Sequence, residues 1–569
     1  MPSKKRLSLG ESLVEQKLLT GEQLQTAVKE SEKSGEPLRK SLVKLGMVSE
    51  EDIANFFEEQ LGVPRIDLKN YLIDPKILAL VPETLARKHL LVPLFKTGDT
   101  ITIATADPLN IIALDEVRLK TKSNIEPAVA TETEIKNAIS QYYGTSGSIE
   151  DVIKSIDVKS LAMEEAGKEE EIEPDKLRNM AEEAPIIKLV NLVIMQAIRD
   201  KASDIHVEPE EDSLMIRFRI DGVLHEEYTV PKHLQAAVLS RMKIMSDMNI
   251  ATKRIPQDGR FRIKTEAGQI DMRVSSLPTI YGENIVMRLL DTSSILIGLG
   301  QIGFDEKNLE HFKSLIVKPH GIILVTGPTG SGKTTTLYSA LNTINKPDKN
   351  IITVEDPVEY QLKMIRQCQV NPKAGLTFAS GLRSILRQDP DVIMVGEIRD
   401  LETAEIAVQS ALTGHLVFST LHTNDAPSSL TRLVDMGVEP FLISSSIIGI
   451  IAQRLVRTIC GSCKESYVPS KQVLDDLGIP IADTTNLKFY RGKGCKTCKN
   501  TGYKGRLGIF EMLMLNDKMR DMILAKVSSN QIKKAAQEAG MKTLREDGLA
   551  KVLAGMTTID EVMRVTQLD

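Results

Sequence analysis

The chain has 569 residues, of which 42% are apolar and 26% charged, with a formal net charge of −5 at pH 7. At about 150 residues per domain this points to three or four domains of ordinary globular composition and excludes collagen-like and wholly disordered classes. The acidic balance disfavours a globally basic nucleic-acid binder while leaving room for a local basic patch.

No apolar run reaches about 18 residues, so no transmembrane helix is expected. The basic start Met1–Arg6 lacks the apolar core of a signal peptide. Four of the five cysteines fall in two CxxC pairs, which suggests a metal in a reducing compartment rather than a disulfide scaffold.

Residues 1–62 carry a weak repeat. Leu9-Gly10 and Leu13-Val14 align with Leu38-Arg39 and Leu42-Val43, 29 residues on. Each copy reads as a short helix, a turn and an amphipathic helix, with Ser49 and Asp52 as a capping signal for the last. Residues 63–144 read as a small α/β unit: Thr100–Thr105 alternates as a strand, and Ile111–Lys120 has helical character after Asp107-Pro108. The first domain is therefore drawn at 1–144. An acidic flexible linker is expected over 145–180, Glu-rich around Met163–Glu173.

A third segment, 181–300, opens with a helix over Ala184–Lys201. In the strand that follows, Leu214, Ile216, Phe218 and Ile220 share one face and Arg217 and Arg219 the other. Asp221-Gly222 is a type I′ hairpin signal, and a second hairpin is expected around Gly268.

Residues 301–569 carry the chemistry. Gly327-Pro328-Thr329-Gly330-Ser331-Gly332-Lys333-Thr334 fits GxxxxGK[ST], between an apolar strand at 321–326 and a helix-forming run from Thr335. Such a loop turns backbone N–H groups onto phosphate oxygens at a helix N-terminus. Lys333 would reach the β- and γ-phosphates of ATP, and Thr334 would hold Mg²⁺. Two strand ends supply acids, at Glu355-Asp356 and at Glu397, where parallel α/β sheets bind ligands. The position where a metal-binding Asp usually ends the second strand is Gly396, so Glu397 is expected to hold Mg²⁺ through water, with Thr334 as direct ligand.

Four segments occur together: GPTGSGKT at 327–334, ITVEDPVEY at 352–360, LRQDPDVIMVGEIRD at 386–400 and GHLVFSTLHTNDA at 414–426. This set resembles the secretion ATPase superfamily of type II secretion and type IV pili, as its Walker A, Asp, Walker B and His boxes. SDIHVEP at 203–209, RFRIDG at 217–222 and KRIPQDGRF at 253–261 also match it. The resemblance implies an α/β fold: a RecA-like P-loop ATPase domain over 301–569, a PAS-like α+β domain over 181–300 and an N-terminal MshEN-like domain. It implies a homohexamer without nucleic acid. That hexamer would stand at the cytoplasmic face of the inner membrane, held there through partners, and act with a platform protein and other pilus assembly proteins. By position, Glu355 becomes the general base, Glu397 the Walker B acid and His422 a γ-phosphate sensor or subunit link, with His415 the less favoured histidine. Arg217 and Arg219 become arginine fingers, with a solvated strand face as the alternative for Arg219; Arg254 and Arg260 are further candidates for nucleotide or interface contact. A hinge is expected near 292–305.

Cys460, Cys463, Cys495 and Cys498 can close a Cys₄ shell around zinc, stapling an insertion around 460–498. The intervening 31 residues exceed ordinary ribbon spacing, and the rival is a zinc-ribbon nucleic-acid module. The Cys₄ insertion and long N-terminal region fit pilus assembly or type II secretion ATPases rather than retraction ATPases, with pilus assembly the closer. A DNA-uptake or other nucleic-acid motor is the further alternative, against which the acidic net charge speaks. MshEN domains bind cyclic di-GMP. The repeat at 1–62 resembles their tandem motif, in which each half begins RLGxxLV and ends near a Gln. Here Ser8 replaces the leading Arg, Lys17 a mid-motif Gly, Ser31 the final Gln and Arg39 the second half's opening Gly, while Gly46 and Gln60 are kept, which leaves a helical docking role open.

Overall fold

The computed structural model describes the chain except residues 1–9, 11–12, 15–17, 69–70, 144–148, 161–173, 266–267, 292–296, 471–487 and 567–569. It divides into two compact units, Met1–Ser293 and Ser294–Asp569.

In the first unit, helices Gly21–Ser34, Leu38–Lys44 and Glu50–Leu61 realise the helical repeat. Capping boxes form at Thr20/Gln23 and Ser49/Asp52. Leu42, Ile53 and Phe57 bury against Val129. That residue ends β3 (Asn124–Val129), which pairs parallel with β2 (Thr100–Thr105), itself antiparallel to β1 (Leu91–Thr97). The helix Ile111–Thr121 follows as expected.

The span expected to be a flexible linker is narrower. Helices Ile149–Ser160 and Pro174–Ala181 flank it, and Ile149, Val152, Leu177 and Ala181 are buried. Apolar residues at helical spacing outweigh the acidic composition there. The Glu-rich centre, Met163–Glu173, lies outside the described residues.

Six antiparallel strands follow, in the order β6-β5-β4-β9-β8-β7. They are β4 (Asp204–Pro209), β5 (Ser213–Ile220), β6 (Val223–Pro231), β7 (Gln257–Thr265), β8 (Gly268–Thr279) and β9 (Gly282–Asp291). Asp221 and Gly222 both take positive φ, as a type I′ turn requires. Leu214, Ile216, Phe218, Met272 and Met287 share a core with helices Ala184–Arg199 and Gln235–Met245. Arg217 and Arg219 are on the opposite, polar face.

The second unit is built on a seven-stranded sheet ordered β12-β11-β13-β14-β10-β15-β18. Its strands are β10 (Gly321–Thr326), β11 (Ile351–Glu355), β12 (Arg366–Gln369), β13 (Val392–Val395), β14 (Leu416–Leu421), β15 (Ile447–Ile459) and β18 (Tyr503–Met514). All pairs are parallel except β15 with β18. Full burial on both faces explains the apolar runs Ile322–Val325 of β10 and Leu416–Phe418 of β14. A two-stranded ribbon, β16 (Lys464–Tyr467) with β17 (Phe489–Gly492), carries the cysteine pairs. Four helices between Asp517 and Thr566 complete the unit.

Candidate active site

The phosphate loop leaves the interior strand β10 and enters the helix Lys333–Ile344. Gly327 and Gly332 have φ of 147° and 89°, where a side chain is strained. A Cβ on Gly327 would also stand 2.5 Å from the Gln453 carbonyl oxygen, and one on Gly332 2.7 Å from Gln453 Nε2. Lys333 Nζ donates to the carbonyls of Gly327 (2.8 Å) and Pro328 (3.1 Å), lying back over its own loop. Burial lowers its pKa to about 8, with Glu397 acting upward and Arg454 downward. Thr334 and Thr335 begin the helix and are half-buried.

Glu397 lies two residues beyond β13 and is half-buried. It pairs with Arg399 and stands 3.4 Å from His422 Nε2, just past β14. Lys333, Glu397, Arg399 and His422 thus converge at the carboxyl ends of β10, β13 and β14. His415 is different: it is at the start of β14, where Nδ1 meets the Ser410 carbonyl at 2.8 Å.

Glu355 ends β11 and is only 3% exposed. Its Oε1 accepts from Thr353 Oγ1 (2.5 Å) and Gln367 Nε2 (3.1 Å), and its Oε2 from the Tyr338 hydroxyl. Burial pushes its pKa up against those donors. The acids that follow are more open: Asp356 is exposed and Glu359 half-buried, its N–H directed at the Tyr338 hydroxyl at 3.4 Å.

Residues 179–564 match the family model of type II/IV secretion system proteins, and residues 61–149 that of the MshEN domain. The chain belongs to the type II/IV secretion system protein family. It is 46% identical to the Type IV pilus assembly ATPase PilB of Myxococcus xanthus over 99% of both chains. It is 45% identical to the Type II secretion system protein E of Xanthomonas campestris over 98% of both. The ATPase DotB of Yersinia pseudotuberculosis superposes with a TM-score of 0.51 at 20% identity, covering 67% of this chain and 94% of that one, which shows a shared fold. As a family member with this phosphate loop, the protein is an ATP-hydrolysing P-loop enzyme.

Two buried polar residues beside the phosphate loop fall outside all four motif segments. Gln453 and Arg454 on β15 are 2% and 8% exposed and contact the loop or its neighbours. Their signal in the sequence is faint: two polar residues inside an apolar strand.

The first unit holds an arginine-bearing face of which the motifs give Arg217, Arg219 and Arg260 but not Arg273 and Arg288. Arg217 pairs with Glu208 through Nε at 2.6 Å and Nη2 at 2.7 Å. Arg219 is 3.7 Å from Asp204, which Arg288 also reaches at 3.0 Å. Strand register places Arg219, Asp204, Arg288, Arg273 and Arg260 in one row across β5, β4, β9, β8 and β7. Asp204 offsets two of these arginines, and Asp271 pairs with Arg262 one row along.

The four Sγ atoms of Cys460, Cys463, Cys495 and Cys498 all lie within 4.8 Å of one another. Three pairs measure 3.7 to 3.9 Å, far beyond a disulfide and close to the edge, about 3.8 Å, of a tetrahedron with 2.3 Å Zn–S bonds. The N–H groups of Cys495 and Gly502 donate to Cys498 Sγ at 3.2 and 3.3 Å, which favours thiolate. The residues fit a structural zinc ion, which would be held by all four thiolates and tie the β16–β17 ribbon.

Proposed function

We propose that the protein powers assembly of type IV pili, converting ATP hydrolysis into work on an inner-membrane platform protein. The observation that carries this is end-to-end similarity to the Myxococcus xanthus pilus assembly ATPase. The near-equal match to a type II secretion ATPase favours a second reading, export of folded substrates by the same kind of motor. Expression in a strain lacking its pilus assembly ATPase separates the two. Surface pili restored by the wild type and not by Lys333→Ala support the first. Restored secretion in a type II ATPase deletion, without pili, supports the second.

In this reading the enzyme is a homohexamer at the cytoplasmic face of the inner membrane, held there by its partners. Its domains are 1–144, 181–300 and 301–569. Mg²⁺ is held by Thr334 directly and by Glu397 through water, and zinc by the four cysteines. Arg217, with Arg219, is the arginine finger, and His422 reports the γ-phosphate to Glu397. Because the Glu355 carboxylate is enclosed by three donors, we assign it to holding the turn that follows, and water activation to Glu359 on that turn. Cyclic di-GMP is proposed as a ligand of the N-terminal domain. There Arg39, in place of the expected glycine, donates to the Ala106 carbonyl and faces Asp107 and Glu132. The hinge near 292–305 is retained as a proposal; residues 292–296 lie outside the described ones.

A further inference from the structure

Gln453 bridges the two ends of the phosphate site. Its Nε2 donates to the Ser331 carbonyl at 2.7 Å, and its Oε1 accepts from Thr336 Oγ1 at 2.7 Å. The orientation is fixed, since a carbonyl only accepts and the amide nitrogen must face Ser331. Ser331 belongs to the loop and Thr336 to the first turn of the helix behind it. One buried side chain therefore braces both.

The bracing extends to the His-box segment. Arg454 Nη1 donates to the Gln453 carbonyl at 3.1 Å, and Nη2 to the Asn424 carbonyl at 3.0 Å, two residues past His422. The same segment is pinned to the strand before the loop, where Thr326 and Thr423 hydroxyls meet at 2.7 Å. Gly327 and Gly332 have no room for a side chain because Gln453 fills that space.

We propose that Gln453 is a positioning residue of the ATPase. It holds the N–H groups of the phosphate loop in the direction that phosphate oxygens require, while Arg454 registers the His422 segment to the same strand. A cradle already in place spends no binding energy on ordering itself. Loosening it weakens nucleotide binding before it slows the chemistry. The proposal rests on the phosphate-loop reading and goes beyond it.

The test uses the full chain. Gln453→Leu keeps the bulk and removes both bonds; Thr336→Val removes only the helix-side bond, and Thr336→Ser restores the hydroxyl. Fluorescent ADP titration and steady-state ATPase assays are run beside melting curves. Gln453→Leu is expected to raise the ADP Kd and the KM for ATP roughly tenfold, with kcat at saturation within about threefold. Thr336→Val should shift both constants in the same direction by roughly threefold, and Thr336→Ser should match the wild type. Gln453→Leu that melts like the wild type and binds ADP within about twofold of it overturns the proposal, as does a loss confined to kcat. If Gln453→Leu does not fold, Thr336→Val decides: unchanged affinity overturns the proposal. Wild-type protein that binds no nucleotide would sink the phosphate-loop reading itself.

Discussion

The Tyr338 hydroxyl donates to Glu355 Oε2, so the helix behind the phosphate loop and the strand-end acid form one hydrogen-bonded unit. Burial raises the pKa of both groups. Tyr338→Phe removes one donor from a buried carboxylate and leaves the ring, which packs edge-on against Tyr360. It should destabilise the protein by about 1–3 kcal/mol, read from the urea midpoint. An unchanged midpoint would mean that Thr353 and Gln367 satisfy Glu355 without Tyr338.

The same enclosure separates the acids of the 355–359 turn. Glu359→Gln should bind ATP normally and lose turnover by about 100-fold or more, in the range of a lost general base. Glu355→Gln should also lose turnover, together with stability, because an amide cannot accept from all three donors. Glu359→Gln with near-normal kcat would remove it from the chemistry and return the role to Glu355 or Asp356.

Lys333 makes nucleotide binding sensitive to pH. Its pKa is lowered from 10.5 to about 8, chiefly by burial, with Glu397 opposing and Arg454 reinforcing the shift. The charged form recognises phosphate, so ADP affinity should fall as pH rises through about 8. Between pH 8 and 10.5 the unfolded chain binds more protons at this residue than the folded one. Its contribution to stability therefore rises with pH in that window, opposite in sign to the affinity. Fluorescent ADP titrations from pH 6.5 to 9.5 check this, with Lys333→Arg as the control expected to stay flat. A wild-type curve as flat as the control counts against the shift.

The four cysteines predict about one zinc per chain by elemental analysis. Chelation, or Cys463→Ser, should lower the melting temperature, because metal binding contributes to folding free energy. Metal-free protein that melts like the loaded form would make the cluster four idle thiols.

Much of this architecture is legible in the sequence because local chemistry dictates it. Glycines and a lysine at fixed spacing after an apolar strand specify the phosphate loop, and Asp221-Gly222 specifies its hairpin. Other features depend on register or distance. Arg288, Arg273 and Arg260 align only once three strands are paired. Gln453 lies more than 100 residues from both its partners. Glu355 reads as a strand-end acid and gives no sign that Tyr338 and Gln367 will close over it. The helices at 149–160 and 174–181 were masked by the acidic composition around them, although Val152 and Leu177 are core residues.

Arg217 has two competing accounts, and its partner Glu208 distinguishes them. As a structural ion pair on a half-exposed strand face, the two residues contribute little, about 0–1 kcal/mol, and either truncation should have the same small effect. As a finger, Arg217 supplies charge to the transferring phosphoryl group, and only its own loss should stop turnover. Arg217→Ala is therefore expected to assemble like the wild type by light scattering and to lose about 100-fold or more in kcat. Glu208→Gln, which keeps the arginine and weakens its tether, should retain most activity. Equal and modest losses in both variants would reduce Arg217 to a strand-face ion pair. Arg288→Ala and Arg273→Ala then become the measurements that decide whether this face meets the nucleotide at all.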